Sequence, residues 1–261
     1  MNEQTEYIIE KLRQKFSASE ARELARWVEE EMTENPESIG ISDAVERLLK
    51  GEPVQYVFQH ALWLGLDLHV TPATLIPRPE TAELVTLIGK RPAQTLRILD
   101  IGTGSGCIAI ALKKDHPEWD VCGCDISTEA LQVAQENAKR NNTEVKFYPC
   151  DILRNIPKGK YDVIVSNPPY VCESEKSTME SMVLDHEPAS ALFVSDTHPL
   201  LFYERISDVA KQLLTPNGML YFEINERFGK ETAELLHEHG FREIALRQDM
   251  FGKDRFVYGK R

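Results

Sequence analysis

Between Leu96 and Ser166, short apolar runs alternate with amphipathic segments, and no other feature of the chain restricts its fold as strongly. The runs LRILDI, WDVCGCD, VKFYPCD and YDVIVS have the length and the β-branched or aromatic content of buried strands. Between them, CIAIALKKD and TEALQVAQENAKR repeat apolar residues at helical spacing. Strands joined through helices cross over right-handedly and lie parallel, with helices on both faces of the sheet. The expected class is therefore α/β with a doubly wound, mostly parallel sheet. Farther along, PLLFYERISDVAKQLL reads as a helix, Pro216-Asn217-Gly218 as a turn and MLYFEIN as a strand. A helix around KETAELLHEHG follows, and FREIALRQD with DRFVYGKR reads as an antiparallel hairpin at the sheet's edge.

The N-terminal part is organised differently. Ile8, Leu12 and Phe16 recur at helical spacing, Ser17 with Glu20 forms a capping box, and Leu24, Trp27, Val28 and Met32 continue the stripe on a second helix. A third helix is expected from about Ser42 to Lys50-Gly51, with Pro53 beyond it. Residues 1–55 thus read as a small helical bundle. Residues 56–79 read as a linker: a short hairpin around Gly65, then prolines at 72, 77 and 79 that stiffen the chain. So rigid a linker fixes how two domains face each other, either as a simple spacer or with Arg78 and its neighbours walling a site between them.

Charge narrows the partners. The 261 residues carry a formal charge of −12, and basic residues nowhere cluster beyond short pairs such as Lys113-Lys114 and Lys139-Arg140. Nucleic-acid affinity rests on neutralising phosphates, so no direct nucleic-acid partner is expected. No segment approaches the ~20 apolar residues that cross a bilayer, which excludes a membrane partner at this level and makes the cytoplasm the default location. The five cysteines are odd in number and lack CxxC spacing, so they read as small core residues of a reducing compartment, with no metal site.

The stretch DIGTGSG, Asp100 to Gly106, lies between a strand and a helix, where glycines let the backbone approach a ligand closely. Its spacing is G-x-G-x-G, with Cys107 where a dinucleotide fingerprint wants Gly or Ala, which counts against NAD. Asp125 ends the next strand at the ~20-residue interval of a ribose-binding acid. It could alternatively cap the helix that starts near Ser127. Asp151 ends the third strand, where a carboxylate can accept from an exocyclic amine.

In order and element type, residues from Leu96 to Arg261 resemble the class I S-adenosylmethionine-dependent methyltransferases. The resemblance implies a Rossmann-like, seven-stranded, mostly parallel sheet. It implies S-adenosyl-L-methionine as cofactor, held by Gly102, Thr103, Gly104, Ser105 and Gly106, by Asp125 at the ribose, and by Asp151, Ile152 and Asn167.

The fourth strand ends in Asn167-Pro168-Pro169-Tyr170. Two prolines in series give a preset turn that offers carbonyl oxygens and no backbone donors. A planar NH2 group is two donors with a delocalised lone pair. If the Asn167 carboxamide oxygen and the Pro168 carbonyl each accept one of its hydrogens, the nitrogen is held with one face open to a methyl group. The same acceptors favour the partly positive nitrogen of the transition state. Tyr170 is expected to pack flat on the captured group. Asn167, Pro168 and Tyr170 are thus candidate catalytic residues, and Pro169 joins them at the substrate.

This motif is shared by methyltransferases of adenine, of guanine and of glutamine side chains. The segment GEPVQYVFQHALWLGLDLHVTPATLIPRPETAELV is very similar to the linker of the HemK/PrmC family, the peptide chain release factor glutamine methyltransferases. HEPASAL, His186 to Leu192, resembles that family's loop after the motif. The resemblance implies residues 80–261 as the methyltransferase domain and residues 1–55 as the part that recognises class 1 release factors. The expected substrate is the glutamine of their Gly-Gly-Gln loop, methylated on the side-chain amide with release of S-adenosyl-L-homocysteine. One departure is Ile152, where family members can have a tryptophan near the adenine. Residues 171–199 read as a long loop, acidic in its first half, which either orders around the release factor or is simply a solvated loop. The rival readings are a nucleic-acid amino methyltransferase, which needs a basic surface and room for a flipped base, and a non-catalytic scaffold.

Overall fold

A computed structural model describes residues 3–35, 39–91 and 95–261; residues 1–2 and 36–38 of the expected bundle therefore lie outside the described residues. Helices α1 (Glu3–Leu12), α2 (Ala18–Glu34), α3 (Ile41–Leu49) and α4 (Val54–Phe58) form the N-terminal part. Ile8, Leu12, Ala21, Ala25, Val28, Val45 and Leu48 bury against one another, the outcome expected of stripes at helical spacing. The capping box is present: Ser17 Oγ accepts from the Glu20 amide at 3.3 Å, and Glu20 accepts from the Ser17 amide at 2.9 Å.

Tyr56 to Phe58 are helical, where the hairpin was expected to begin. Pro53 supplies the preset φ at the N-cap of α4, and Gln59 in the left-handed region (φ 52°) ends it. The hairpin follows as β1 (His60–Trp63) and β2 (Leu66–His69). Leu64 and Gly65 both have positive φ (48° and 69°), the two-residue turn that matches strand twist.

Helix α5 (Pro79–Gly89) then leads into the alternating region: β3 (Arg97–Ile101), α6 (Cys107–Asp115), β4 (Asp120–Asp125), α7 (Thr128–Arg140), β5 (Lys146–Pro149) and β6 (Tyr161–Ser166). Residues 171–199 are not a loop without structure. They hold β7 (Val171–Cys172), a 3₁₀ turn at Glu173–Thr178, α8 (Ser181–His186), α9 (Ala189–Leu192) and β8 (Phe193–Val194), with β7 and β8 paired in parallel. The chain closes with α10 (Leu201–Leu213), β9 (Leu214–Glu223), α11 (Gly229–Glu238), β10 (Arg242–Gln248) and β11 (Asp254–Lys260).

The central sheet has seven strands in the order β10-β11-β9-β6-β3-β4-β5, parallel from β9 to β5 and antiparallel at the β9, β11, β10 end. The tail hairpin is at the edge as expected. Pro216-Asn217-Gly218 is absorbed into β9 as an irregularity, with Asn217 at φ 67° and a register shift between the Tyr161 and Val163 pairings. Alternate residues feed the two faces. Ile98, Val163 and Val165 join the core under α5 and α6, while Leu99 and Ile164 join the core under α10 and α11.

The hairpin is fastened to α7 by two asparagines one helical turn apart. Asn137, fully buried, accepts from the His69 amide at 2.6 Å and donates to the carbonyls of His69 and Ser105, each at 2.9 Å. Asn141 does the same for Asp67, accepting from its amide at 3.1 Å and donating to its carbonyl at 2.7 Å. The side chains of a helix thus complete the hydrogen bonding of a strand edge. Asn137→Ala leaves buried backbone groups unpaired on both the hairpin and the glycine loop. It is expected to lower stability by about 2–4 kcal/mol, read as a fall in the urea midpoint, and to expose residues 60–69 to limited proteolysis. A midpoint equal to that of the wild type would remove this fastening role.

Candidate functional site

The carboxyl ends of β3, β4 and β6 lie side by side, because Ile101 pairs with both Cys124 and Ser166. The glycine loop starts as an extension of the ladder: the amides of Gly102 and Thr103 both donate to the Cys124 carbonyl, at 2.9 and 3.0 Å. Asp125 then accepts from the Gly104 amide through one oxygen and from the Ser127 amide through the other, each at 2.9 Å. Ser127, rather than Asp125, caps α7, accepting from the Ala130 amide at 3.1 Å. Asp125 is thereby held between two loops, with lone pairs left over for a further donor.

A cavity of about 300 Å³ opens at this rim. Gly102, Thr103, Gly104 and Ser105 form one wall and Asp125 with Ile126 the next. Asp151, Ile152 and Leu153 follow, and Asn167, Pro168 and Pro169 face them. The linker adds Thr74, Pro77 and Arg78, α5 adds Thr81, and α9 and α10 add Ala191 and Phe202, so Arg78 does stand in the wall. A Cβ added to Gly102 or Gly104 would meet nothing within 4 Å. The loop therefore presents bare backbone to open space.

Two expected residues lie outside this lining. Gly106, at φ 80°, is packed so closely that a Cβ would sit 3.0 Å from Ala134, Ile110 and Phe147. Its requirement is for helix–sheet packing rather than ligand approach. Tyr170, expected to cover a substrate amide, turns its hydroxyl to Glu223 Oε1 at 3.2 Å, while its carbonyl accepts from Asn225 at 3.1 Å. A buried phenol needs an acceptor, and Glu223 supplies one beneath the turn.

Sequence reasoning missed several residues. Ile126, 65% exposed, and Leu153, 40% exposed, add apolar surface beside Ile152 at the mouth. Thr81 accepts from the Asn167 amide nitrogen at 3.3 Å and donates to Glu223 Oε2 at 2.7 Å. Glu187, from the HEPASAL segment, accepts from Arg78 at 2.5 Å and from the Ile76 amide at 3.3 Å. The one available signal was the clustering of polar residues beside the IPRPET prolines; Glu223, inside an apolar strand, carried none.

Two carboxyls in this region are wholly buried. Burial pushes Asp100 up to about 7, against a hydrogen bond from Thr103 and with the charge of Asp125 adding to the rise. Its Oδ1 has no partner. Glu223 is pushed to about 6 by burial, opposed by donation from Thr81 and the nearby Arg255.

A doubly wound sheet of this strand order, with a glycine loop and acid at its carboxyl rim, defines a class I methyltransferase. A methyltransferase from Pyrococcus furiosus has the same fold, with a TM-score of 0.56 at 19% identity over 84% of this chain and 98% of that one. Residues 80–192 match the methyltransferase small domain family. The release factor glutamine methyltransferase of Bacteroides thetaiotaomicron is 47% identical over 223 residues, 85% of this chain and 80% of that protein. That of Streptococcus pneumoniae is 40% identical over 232 residues, 88% and 82% of the two chains. The chain belongs to the release factor glutamine methyltransferases, a family of protein-modifying enzymes.

Asp100 makes the pH dependence of stability testable. Its carboxyl rises from 3.8 to about 7 on folding, so the folded state binds the proton more tightly. That contribution is complete below 3.8 and is lost as pH rises toward about 7. Asparagine does not titrate. The stability of Asp100→Asn relative to wild type should therefore increase with pH across this window and level off above it, measured by urea unfolding at several pH values. A gap independent of pH would show that Asp100 does not titrate there.

Proposed function

We propose that this enzyme methylates the side-chain amide nitrogen of the glutamine in the Gly-Gly-Gln loop of class 1 release factors. S-adenosyl-L-methionine would be the donor and S-adenosyl-L-homocysteine the product. The observation that carries this reading is the placement of Asn167 and Pro168 in one cavity with the glycine loop and Asp125.

The residues fit the cofactor. The bare backbone at Gly102 and Gly104 leaves room for its methionine part, and Thr103 and Ser105 complete that wall. Asp125 retains acceptor capacity for ribose hydroxyls. Asp151 lines the same cavity and would accept from an exocyclic amine, and Ile152 with Ile126 would supply apolar walls for adenine without an aromatic face. When bound, the cofactor supplies a methyl group made electrophilic by its sulfonium.

The protein's work is then placement and acceptance of hydrogen bonds. The carboxamide oxygen of Asn167 and the carbonyl of Pro168 would each take one hydrogen of the glutamine NH2, leaving the nitrogen's face toward the glycine loop. As the nitrogen gains positive charge and the N–C bond forms while the S–C bond breaks, both acceptors bind it more strongly than in the ground state, and the alkylated nitrogen then releases its proton to water. Pro168 and Pro169 offer no competing donors. Tyr170 would act from below, holding the turn through Glu223 and Asn225. Fixed approach of nitrogen to methyl supplies much of the acceleration.

The helical bundle is the part we assign to release factor recognition. Its neighbour, the hairpin, is hydrogen-bonded to α7 of the catalytic domain, which ties the bundle to that domain. The 171–199 segment, pinned to the linker by Glu187, is suited to close on the bound protein. No helix among the described residues is long and apolar enough to cross a membrane, and a cytoplasmic setting fits the substrate.

The test is transfer of labelled methyl from S-adenosylmethionine. Intact class 1 release factor should take up label, while the same factor with its loop glutamine changed to alanine, and nucleic acid, should not. Label on nucleic acid alone would overturn the assignment. Asn167→Ala is expected to lower the transfer rate by about 10²-fold or more while cofactor affinity changes less than about threefold. A rate near wild type would remove the role given to that side chain.

A further inference from the structure

Resting on the reading above, we infer that Thr81 and Glu223 are positioning residues that dictate which end of the Asn167 carboxamide faces the substrate. An asparagine amide has one end that accepts and one that donates, and only the oxygen can receive a hydrogen from a glutamine NH2. Placing Asn167 at the rim is therefore not enough. Something must hold its nitrogen away.

The hydrogen-bond count does this. A threonine hydroxyl has one hydrogen, and Thr81 commits it to Glu223 Oε2 at 2.7 Å. What remains on Thr81 is lone-pair density, which can only accept, and the group that meets it is Asn167 Nδ2 at 3.3 Å. Turned over, the amide would set two oxygens against each other with no hydrogen between them. Thr81 is 3% exposed and Glu223 1% exposed, so bulk water does not compete for these bonds. The other carboxylate oxygen of Glu223 accepts from Tyr170 at 3.2 Å, so the same group also holds the end of the Asn-Pro-Pro-Tyr turn.

The three residues come from three elements. Thr81 lies in the first turn of α5, Glu223 closes β9, and Asn167 follows β6. Strands β6 and β9 are parallel neighbours, with Ser166 paired to Phe222, so Asn167 and Glu223 are the next residues along both strands. The linker prolines bring Thr81 between them. The chain stiffness that orders the linker thus also delivers the hydroxyl that orients the amide.

The experiment compares wild type, Thr81→Val and Thr81→Ser, measuring kcat and KM for methyl transfer to class 1 release factor and, separately, S-adenosylmethionine affinity. Valine keeps the shape and removes the hydroxyl. We expect kcat to fall on the order of 10- to 100-fold, with KM and cofactor affinity within about threefold of wild type. Serine, which restores the hydroxyl, should return kcat to within about threefold. If Thr81→Val does not fold, Thr81→Ala is measured in its place against the same expectation. Unchanged kcat in the hydroxyl-free variant, a serine variant as slow as the valine one, or a loss confined to KM or cofactor affinity each overturns the inference while leaving the proposed function standing. Absence of transfer by the wild-type enzyme overturns the proposed function and this inference with it.

Discussion

The register of the parallel strands is the constraint on which the rest of the molecule depends. Ile101 of β3 is level with Cys124 of β4 and Ser166 of β6, so the segments that follow these strands leave the sheet at one height and on one rim. The ladder then runs past the strand ends, with two loop amides bonded to the Cys124 carbonyl. A one-residue slip in any of these pairings would turn the buried alternation inside out and carry Asp125 or Asn167 to the wrong face. Because both faces are covered by helices, such a slip is excluded by burial as well as by hydrogen bonding.

The N-terminal part depends on this sheet through polar side chains that have been taken out of water. Asn137 and Asn141 complete the edge of β2, the Tyr56 hydroxyl donates to the Thr74 carbonyl at 2.6 Å, and the Trp63 indole donates to the Arg78 carbonyl at 2.9 Å. Each of these groups would be costly if left unpaired in the interior, so together they permit only a narrow range of hairpin positions. The linker prolines limit the path of the chain, and these bonds decide where along that path it rests.

Buried carboxyls at the rim show the converse. Asp100 and Glu223 are held in surroundings that favour their neutral forms, at a cost in stability that a purely structural core would avoid. Both lie under the loops that line the cavity.

Much of this was legible in the chain itself. Periodicity located the strands and helices from Leu96 onward, because residues buried on both faces of a parallel sheet must be apolar in runs and crossover helices must show a stripe. The glycine loop, Asp125 and the Asn-Pro-Pro-Tyr turn could be read because each follows a strand end. Local pattern failed at Tyr56 to Phe58, where Pro53 starts a helix, and over residues 171–199, whose short helices have too few turns for a stripe to show. It also had no means of finding Glu223 or of placing the Tyr170 ring, and the polar cluster beside the linker prolines was the one signal it held for their neighbours. The sequence by itself determined which groups the protein could bring to a substrate, since residue type sets what donates, what accepts and what stays apolar. Only the tertiary structure decided which of those groups meet and which way they face, because hydrogen-bond direction at Asn167 depends on partners far away in the chain that come together only when the sheet and linker are in place.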